Sequence, residues 1–145
     1  MEKGKANLIK TLQNHKRDLS MKKIIAIAAI SGMLSVMLGA FGAHGLKKII
    51  SPDMLEIFKT GVQYQFYHTF ALLAVGILMY FGESKSLKWS AKLFLIGILL
   101  FSGSLYLLAI TNIKLLGIIT PFGGIAFIIA WILLAVHAYK YKTSF

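Results

Sequence analysis

Two histidines in apolar sequence are the residues best able to do chemistry. His44 ends the first apolar run, and His68 follows Tyr64 and Gln65 early in the second. Tyr64 and Gln65 precede His68 by four and three residues, so the three side chains share one helix face. Ionisable groups inside a bilayer are costly, and a functional site is the default hypothesis for them.

Polar side chains of the third and fourth apolar runs are expected in the same outer layer as these histidines. Both histidines are expected near the outer interface, at almost the same depth. Because an unpaired polar group in hydrocarbon is costly, the side chains of this layer should face one another inside the bundle and not the lipid. Its function is open, because interhelical hydrogen bonds can form a site or simply hold helices together. The candidate cluster consists of His44, Tyr64, Gln65, His68, Ser102, Tyr106 and Thr120.

Facing histidines in a helical bundle can also hold a haem, a metal ion or a quinone headgroup. The chain has no cysteine, and no acid is fixed beside His44 and His68, so a metal site built on them would be poor in ligands. No metal or cofactor is therefore expected. Since no nucleophile, base and acid stand at a recognisable spacing, no enzyme is predicted.

Four runs without Asp, Glu, Lys or Arg must position these residues: 24–46, 60–82, 93–113 and 115–139. Each is long enough for a helix to cross the hydrocarbon core, which takes about 20 residues. None alternates with period two, as a barrel strand would. We therefore predict an all-α integral membrane four-helix bundle over residues 21–145, with short connections.

The composition supports a membrane environment. Hydrophobic residues make up 57% of the 145-residue chain and charged residues only 14%, whereas a soluble domain carries about 25% charged residues. The net charge of +11 lies in clusters between apolar runs, which is typical of loops beside a bilayer. The lipid bilayer is thus the expected partner, and nucleic acid is excluded.

The distribution of basic residues predicts the orientation. Placing both termini in the cytoplasm leaves only Lys47, Lys48, Lys59 and Lys114 on the outer side. Such an asymmetry satisfies the positive-inside rule, and the inner (cell) membrane is the predicted location. The remaining basic residues are then all cytoplasmic: Lys3, Lys5, Lys10, Lys16, Arg17, Lys22, Lys23, Lys85, Lys88, Lys92, Lys140 and Lys142.

Two segments outside the spans have their own signals. Ser51, Pro52 and Asp53 offer a cap, a proline and an acid for a helix start, which predicts an outer amphipathic helix that bends near Gly61 into span two. Residues 1–20 are expected to form a separate, disordered basic tail. This tail either results from a start codon placed too far upstream or lies on anionic headgroups.

Small residues at four-residue spacing mark one face of span one: Ser31, Ser35, Gly39 and Ala43. Helices approach each other closely at such faces. The face either packs inside the bundle or forms a homodimer interface. We favour packing inside the bundle, since three other helices are available to cover it.

Four motifs, in this order, resemble one known family. They are GAFGAHGL at 39–46, Tyr64-Gln65 with His68, FSGSLY at 101–106, and TPFGG at 120–124 with Trp131. The chain from about Met21 to Tyr139 is similar to the small YgdD/YwdK-like membrane proteins, a domain-of-unknown-function family. The resemblance implies a four-span inner-membrane protein and brings no established activity, substrate or cofactor.

Three functions remain open from the sequence. The first is a non-enzymatic multi-pass membrane protein that acts through a membrane protein partner or an assembly. The second is a small homo-oligomeric transporter or permeation unit, because four helices alone leave little room for a solute path. The third is a binder of a cofactor or quinone headgroup that uses His44 and His68.

Overall fold

The computed structural model describes residues 2–140, and within that range it is helical with short connections and no strand. The helices are α1 (Glu2–His44), α2 (Pro52–Phe81), α3 (Lys85–Gly97), α4 (Gly103–Thr111) and α5 (Thr120–Lys140). Met1 and residues 141–145 lie outside the described residues, and with them Lys142, which was assigned to the cytoplasmic end.

Four helical stretches of this range are long and apolar enough to cross a membrane. They are α1, α2, the continuous α3–α4 rod, and α5 with its preceding turn. A π-helical turn at Ile98–Ser102 joins α3 to α4, and 3-10 turns at Leu46–Lys48 and Lys114–Ile118 lie between α1 and α2 and between α4 and α5. The predicted all-α, four-span fold class is confirmed.

Local sequence signals set several helix ends. The Ser51 hydroxyl accepts a hydrogen bond from the Met54 amide, and Pro52 stands at the first helical position of α2. The Ser84 hydroxyl caps α3 in the same way, through the Leu87 amide. At the end of α4, Asn112 adopts the left-handed conformation with φ of 57°, which asparagine tolerates better than most residues.

The bundle consists of two halves joined by residues 82–84. α1 packs extensively on α2 alone, and α3 packs on α5, while α2 also contacts α3, the π turn and α4. The main core lies between these halves and is filled by Leu72, Val75, Met79 and Phe94. A second cluster, the Phe58 cluster, lies near the start of α2, where α2 meets α1 and α4.

The structure differs from the two expectations outside the spans. Residues 2–20 are the first part of α1 and not a separate irregular tail. The expected outer amphipathic helix is instead the start of α2, which is one helix from Pro52 to Phe81. The reason is packing: Leu55 and Phe58 are buried in the Phe58 cluster, so this segment is held within the bundle.

Candidate functional site

A chain of hydrogen bonds centred on Gln65 connects α1, α2 and α4. Its Nε2 donates to the Ser31 carbonyl oxygen at 3.0 Å, and its Oε1 accepts from the Tyr106 hydroxyl at 2.7 Å. The hydroxyls of Ser31 and Thr69 form a further hydrogen bond of 2.6 Å. Ser35 adds a bond from its hydroxyl to the Ser31 carbonyl oxygen at 2.9 Å. Buried polar atoms of three helices thus satisfy one another.

His68 lies on the other side of α2, among aromatic rings. Its imidazole stacks on Phe127 with ring centroids 3.4 Å apart and planes 7° apart. Phe94 and Trp131 flank it at 5.9 and 6.4 Å. Its Nδ1 donates to the Tyr64 carbonyl oxygen at 2.7 Å. Since the ring is buried, this aromatic cage, rather than a polar partner on another helix, fixes its orientation.

The other predicted members of the cluster divide between these two neighbourhoods. Tyr64 is exposed on one side, and its ring stacks on Phe101 at 4.4 Å. Ser102 is fully buried, and its hydroxyl has no hydrogen-bond partner among the residues described. Thr120 contacts neither Gln65 nor His68 by a hydrogen bond and instead bonds the Ser104 hydroxyl at 2.8 Å.

His44 does not join the other candidates, contrary to the prediction of one layer. Its Nδ1 donates to the Ala40 carbonyl oxygen of its own helix at 3.0 Å, and the residue is exposed. Gly32 faces Thr69 beside His68, so His44 lies farther along α1 by about 18 Å at ~1.5 Å per residue. Since the segment from Pro52 continues into α2 without the expected bend near Gly61, His68 lies 16 residues along one helix and not at the level of His44.

The small-residue face of α1 packs against α2. Ser31 and Ser35 are buried there, and Gly39 lies opposite Val62. Ala43, however, is exposed, and the next contact after Gly39 is made by Gly42 against Phe58. Strict four-residue spacing drifts around a helix that turns every 3.6 residues, so three such steps rotate Ala43 off the face by about 120°.

Close helix approaches surround the π turn. A Cβ on Gly123 would meet the backbone of Phe101, with its Cα at 2.8 Å. A Cβ on Gly97 would overlap the Phe127 ring. The π turn bonds the Gly103 amide to the Ile98 carbonyl oxygen, a wider turn that is frequent at functional sites. Here it lies where α5 crosses the third span.

Several contributing residues were not singled out from the sequence. Thr69 could have been found, since it follows Gln65 by four positions and therefore shares its face. Phe127 and Trp131 stand at the same helical spacing. Where α3 begins, Ser84 Oγ lies 2.8 Å from His137 Nδ1, which connects the start of α3 to α5. This contact between residues 53 positions apart leaves no local signal in the sequence.

No group of three His, Cys, Asp or Glu side chains within residues 2–140 is arranged to hold a metal ion. A shared haem or quinone site would require His44 and His68 to lie close together, and they are instead separated by about 18 Å along α1. The geometry therefore does not support a binder that uses His44 and His68 together.

Comparison with known proteins gives consistent matches. The family described as "Protein of unknown function (DUF423)" matches residues 38–124. The "UPF0382 membrane protein YwdK" of Bacillus subtilis is 48% identical over 122 residues, which cover 83% of this chain and 99% of that protein. A UPF0382 membrane protein of Haemophilus influenzae is 46% identical over 121 residues, covering 83% and 97%.

A more distant relative is named for its membrane. The "UPF0382 inner membrane protein YgdD" of Escherichia coli is 39% identical over 124 residues, covering 86% of this chain and 95% of that protein. No solved structure matches the chain. Together with its four apolar helices, these matches show that the chain belongs to the DUF423 (UPF0382) family of membrane proteins of unknown function.

Proposed function

We propose that this protein is a non-enzymatic membrane protein that acts by binding a transmembrane helix of another membrane protein. The single observation that carries the proposal is a cleft between α1 and α2, with a volume of about 510 Å³.

Small residues form part of the lining of the α1–α2 cleft. Gly39, Ala40 and Gly42 line it on α1 beside Val36, and Phe66 lines it on α2. Hydrophobic burial does not drive helices together within lipid; close packing does, and small residues permit it. A helix that enters this cleft would therefore gain contacts that lipid chains fit less well.

The rim of the cleft carries a polar pair that faces away from the bundle. Gln63 Nε2 donates to the Tyr67 hydroxyl at 2.7 Å, and both side chains are exposed. Gln63 Oε1 has no hydrogen-bond partner among the described side chains. An exposed amide at membrane depth is costly, and a hydroxyl or amide on a bound helix would satisfy it. Gln63 thus supports a protein partner over lipid alone.

The buried polar groups favour a non-enzymatic function. Both ends of the Gln65 amide are used by Ser31 and Tyr106, and the Ser104 hydroxyl is used by Phe101 and Thr120. Groups that hold helices together in this way are not free to contact a substrate. The filled centre of the bundle also argues against permeation through a single copy, so a transporter would require several copies.

For the topology we propose that both termini lie in the cytoplasm. This orientation puts residues 82–84 inside and Leu46–Lys48 outside, in agreement with the distribution of basic residues. Green fluorescent protein fused after Tyr139 should fluoresce. Alkaline phosphatase inserted between Lys48 and Ser51 should be active, and inserted at Glu83 it should be inactive. The opposite pattern would contradict the orientation.

Affinity purification from native membranes, extracted in polymer discs, tests the proposed function. A foreign membrane protein should be retained in fixed stoichiometry with the wild-type chain. Val36→Trp, which fills the cleft, should reduce its retention, whereas Ile128→Trp on α5 should not. Both positions are exposed β-branched residues, at 64% and 61%. Recovery of a homo-oligomer without any foreign protein would favour the transporter instead.

A further inference from the structure

We propose that a groove between α1 and α3, on the other side of α1 from the partner cleft, binds an anionic phospholipid. The groove consists of three cavities in a row, with volumes of about 440, 300 and 480 Å³. Neighbouring cavities share a residue: Lys88 lines the first two, and Leu95 lines the last two. The open side exists because α1 packs extensively on α2 alone.

The end of the groove near residue 17 is strongly cationic. Lys16, Arg17 and Lys88 line the first cavity, and Lys23 and Lys92 line the second. The one acid among the lining residues, Glu83, accepts from Lys88 Nζ at 2.8 Å. The other four cations have no ion pair among the residues that the structure describes. This end therefore attracts a phosphate group.

Arg17 provides the cationic end with a hydrogen-bond donor that lacks an acceptor. Its Nε is buried and has no hydrogen-bond partner within residues 2–140. A buried donor without an acceptor is unfavourable, and guanidinium groups match the oxygens of a phosphate well. Gln13 and Asn14, in the same cavity, offer further donors for a headgroup.

The groove becomes apolar away from this end. Ile24, Met79 and Ala91 line the second cavity, and Ile27, Ile30 and Leu99 line the third. The polar atoms of Gln65 and Tyr106 at the far end are already hydrogen-bonded to each other, so they do not need a hydrogen-bond partner on a ligand. An acyl chain, rather than a second polar group, suits this part of the groove.

The length of the groove fits one leaflet of a bilayer. From Lys88 to Leu99 the third span rises about 16 Å at ~1.5 Å per residue, close to half of the ~30 Å hydrocarbon core. Trp89, with Lys92 Nζ 4.8 Å from its ring centroid, stands at the cationic end, as tryptophans do at the membrane interface. The cations thus reach headgroup level while Leu99 lies near the bilayer centre.

The experiment uses the full chain, purified in detergent and examined by native mass spectrometry with phosphatidylglycerol or phosphatidylcholine. Phosphatidylglycerol should remain bound as a single adduct in preference to phosphatidylcholine. The variant Arg17→Gln/Lys23→Gln/Lys92→Gln should bind it about a hundredfold more weakly. The control Lys47→Gln/Lys48→Gln/Lys114→Gln removes the same charge at the other end of the bundle and should bind normally. Equal loss in both variants would overturn the proposal.

Two further arms separate a lipid from other occupants. Leu99→Trp, which fills the apolar part, should reduce the adduct, whereas Leu107→Trp, an exposed residue outside the groove, should not. Inorganic phosphate alone should leave the thermal unfolding temperature unchanged. Stabilisation by phosphate, with no effect of Leu99→Trp on lipid binding, would show a free-anion site and contradict the lipid assignment. Circular dichroism checks that each variant remains folded.

Discussion

The imidazole of His68 lies face to face with the phenyl ring of Phe127, with centroids 3.4 Å apart. This contact joins α2 to α5 in the middle of the bundle. The only hydrogen bond of the His68 side chain within the described residues goes to the Tyr64 carbonyl oxygen of the same helix. His68 therefore acts in the structure mainly as a flat ring. Its replacement tests that role.

His68→Phe keeps a ring against Phe127 and should change the free energy of unfolding by less than about 1 kcal/mol. His68→Ala leaves a cavity between α2 and α5 and should destabilise the protein by about 2–3 kcal/mol. Unfolding in mixed micelles with increasing dodecyl sulfate measures both values. If the two variants were equally destabilised, the imidazole nitrogens rather than the ring shape would be the important feature.

Tyr106→Phe removes the hydroxyl that donates to Gln65 Oε1. Hydrogen bonds between membrane helices contribute about 0.6 kcal/mol on average, so a loss of this size is expected in the same unfolding assay. The coupling with Gln65→Leu in a double-mutant cycle should have a similar value. Tyr80→Phe, at an exposed tyrosine, should leave stability unchanged. Additive effects of the first two substitutions would rule out the bond.

Gly123→Ala places a methyl group against the backbone of Phe101, which cannot move like a flexible side chain. We expect a loss of more than about 2 kcal/mol, because α5 must shift away from the third span. Gly124→Ala is the matched control, since its Cβ would have its nearest contact at 3.8 Å. This control should be neutral or gain up to ~1 kcal/mol from helix propensity. Equal effects at both positions would show that the helices are not in close contact at Gly123.

Ser102→Ala removes a fully buried hydroxyl without a described partner. Its stability should be equal to that of the wild type or higher by up to about 1 kcal/mol, because no bond is lost. Ser104→Ala removes a hydroxyl that bonds both Phe101 and Thr120 and should be destabilising. Thermal unfolding in detergent compares the pair. Strong destabilisation by Ser102→Ala would indicate that the hydroxyl bonds a water molecule in the π turn.

The four spans were predictable because the bilayer sets a minimum length for apolar helices, and each run meets it. The start of α2 at Ser51 and Pro52 was also readable, since capping chemistry is local. Depth was not. The position of His68 along its helix depends on where α2 begins and on whether it bends. The burial of Phe58 against α1 and α4 decides this, and residue spacing does not reveal such a tertiary contact.

Only part of the candidate cluster was predicted correctly, because the sequence does not show how far along its helix each residue lies. Gln65 and Tyr106 do meet, because both are polar side chains that avoid lipid. His44 was placed with them only through an assumed common depth. The rings around His68 come from two other helices, α3 and α5, and the π turn at Ile98–Ser102 changes which residues of the third span face α5. Neither effect can be read from residue spacing alone.

The extensive packing of α1 on α2 has a consequence for the insertion of the protein into the membrane. α1 and α2 pack extensively on each other and precede α3 in the chain, so we expect them to leave the translocon as a paired hairpin. At that stage Gln65 can reach Ser31 but not yet Tyr106, and the second hairpin supplies the missing donor on arrival. Residues 1–82 and 83–145, a division that leaves the Ser84 cap with α3, should therefore find each other in the membrane and rebuild the bundle when expressed as two separate polypeptides.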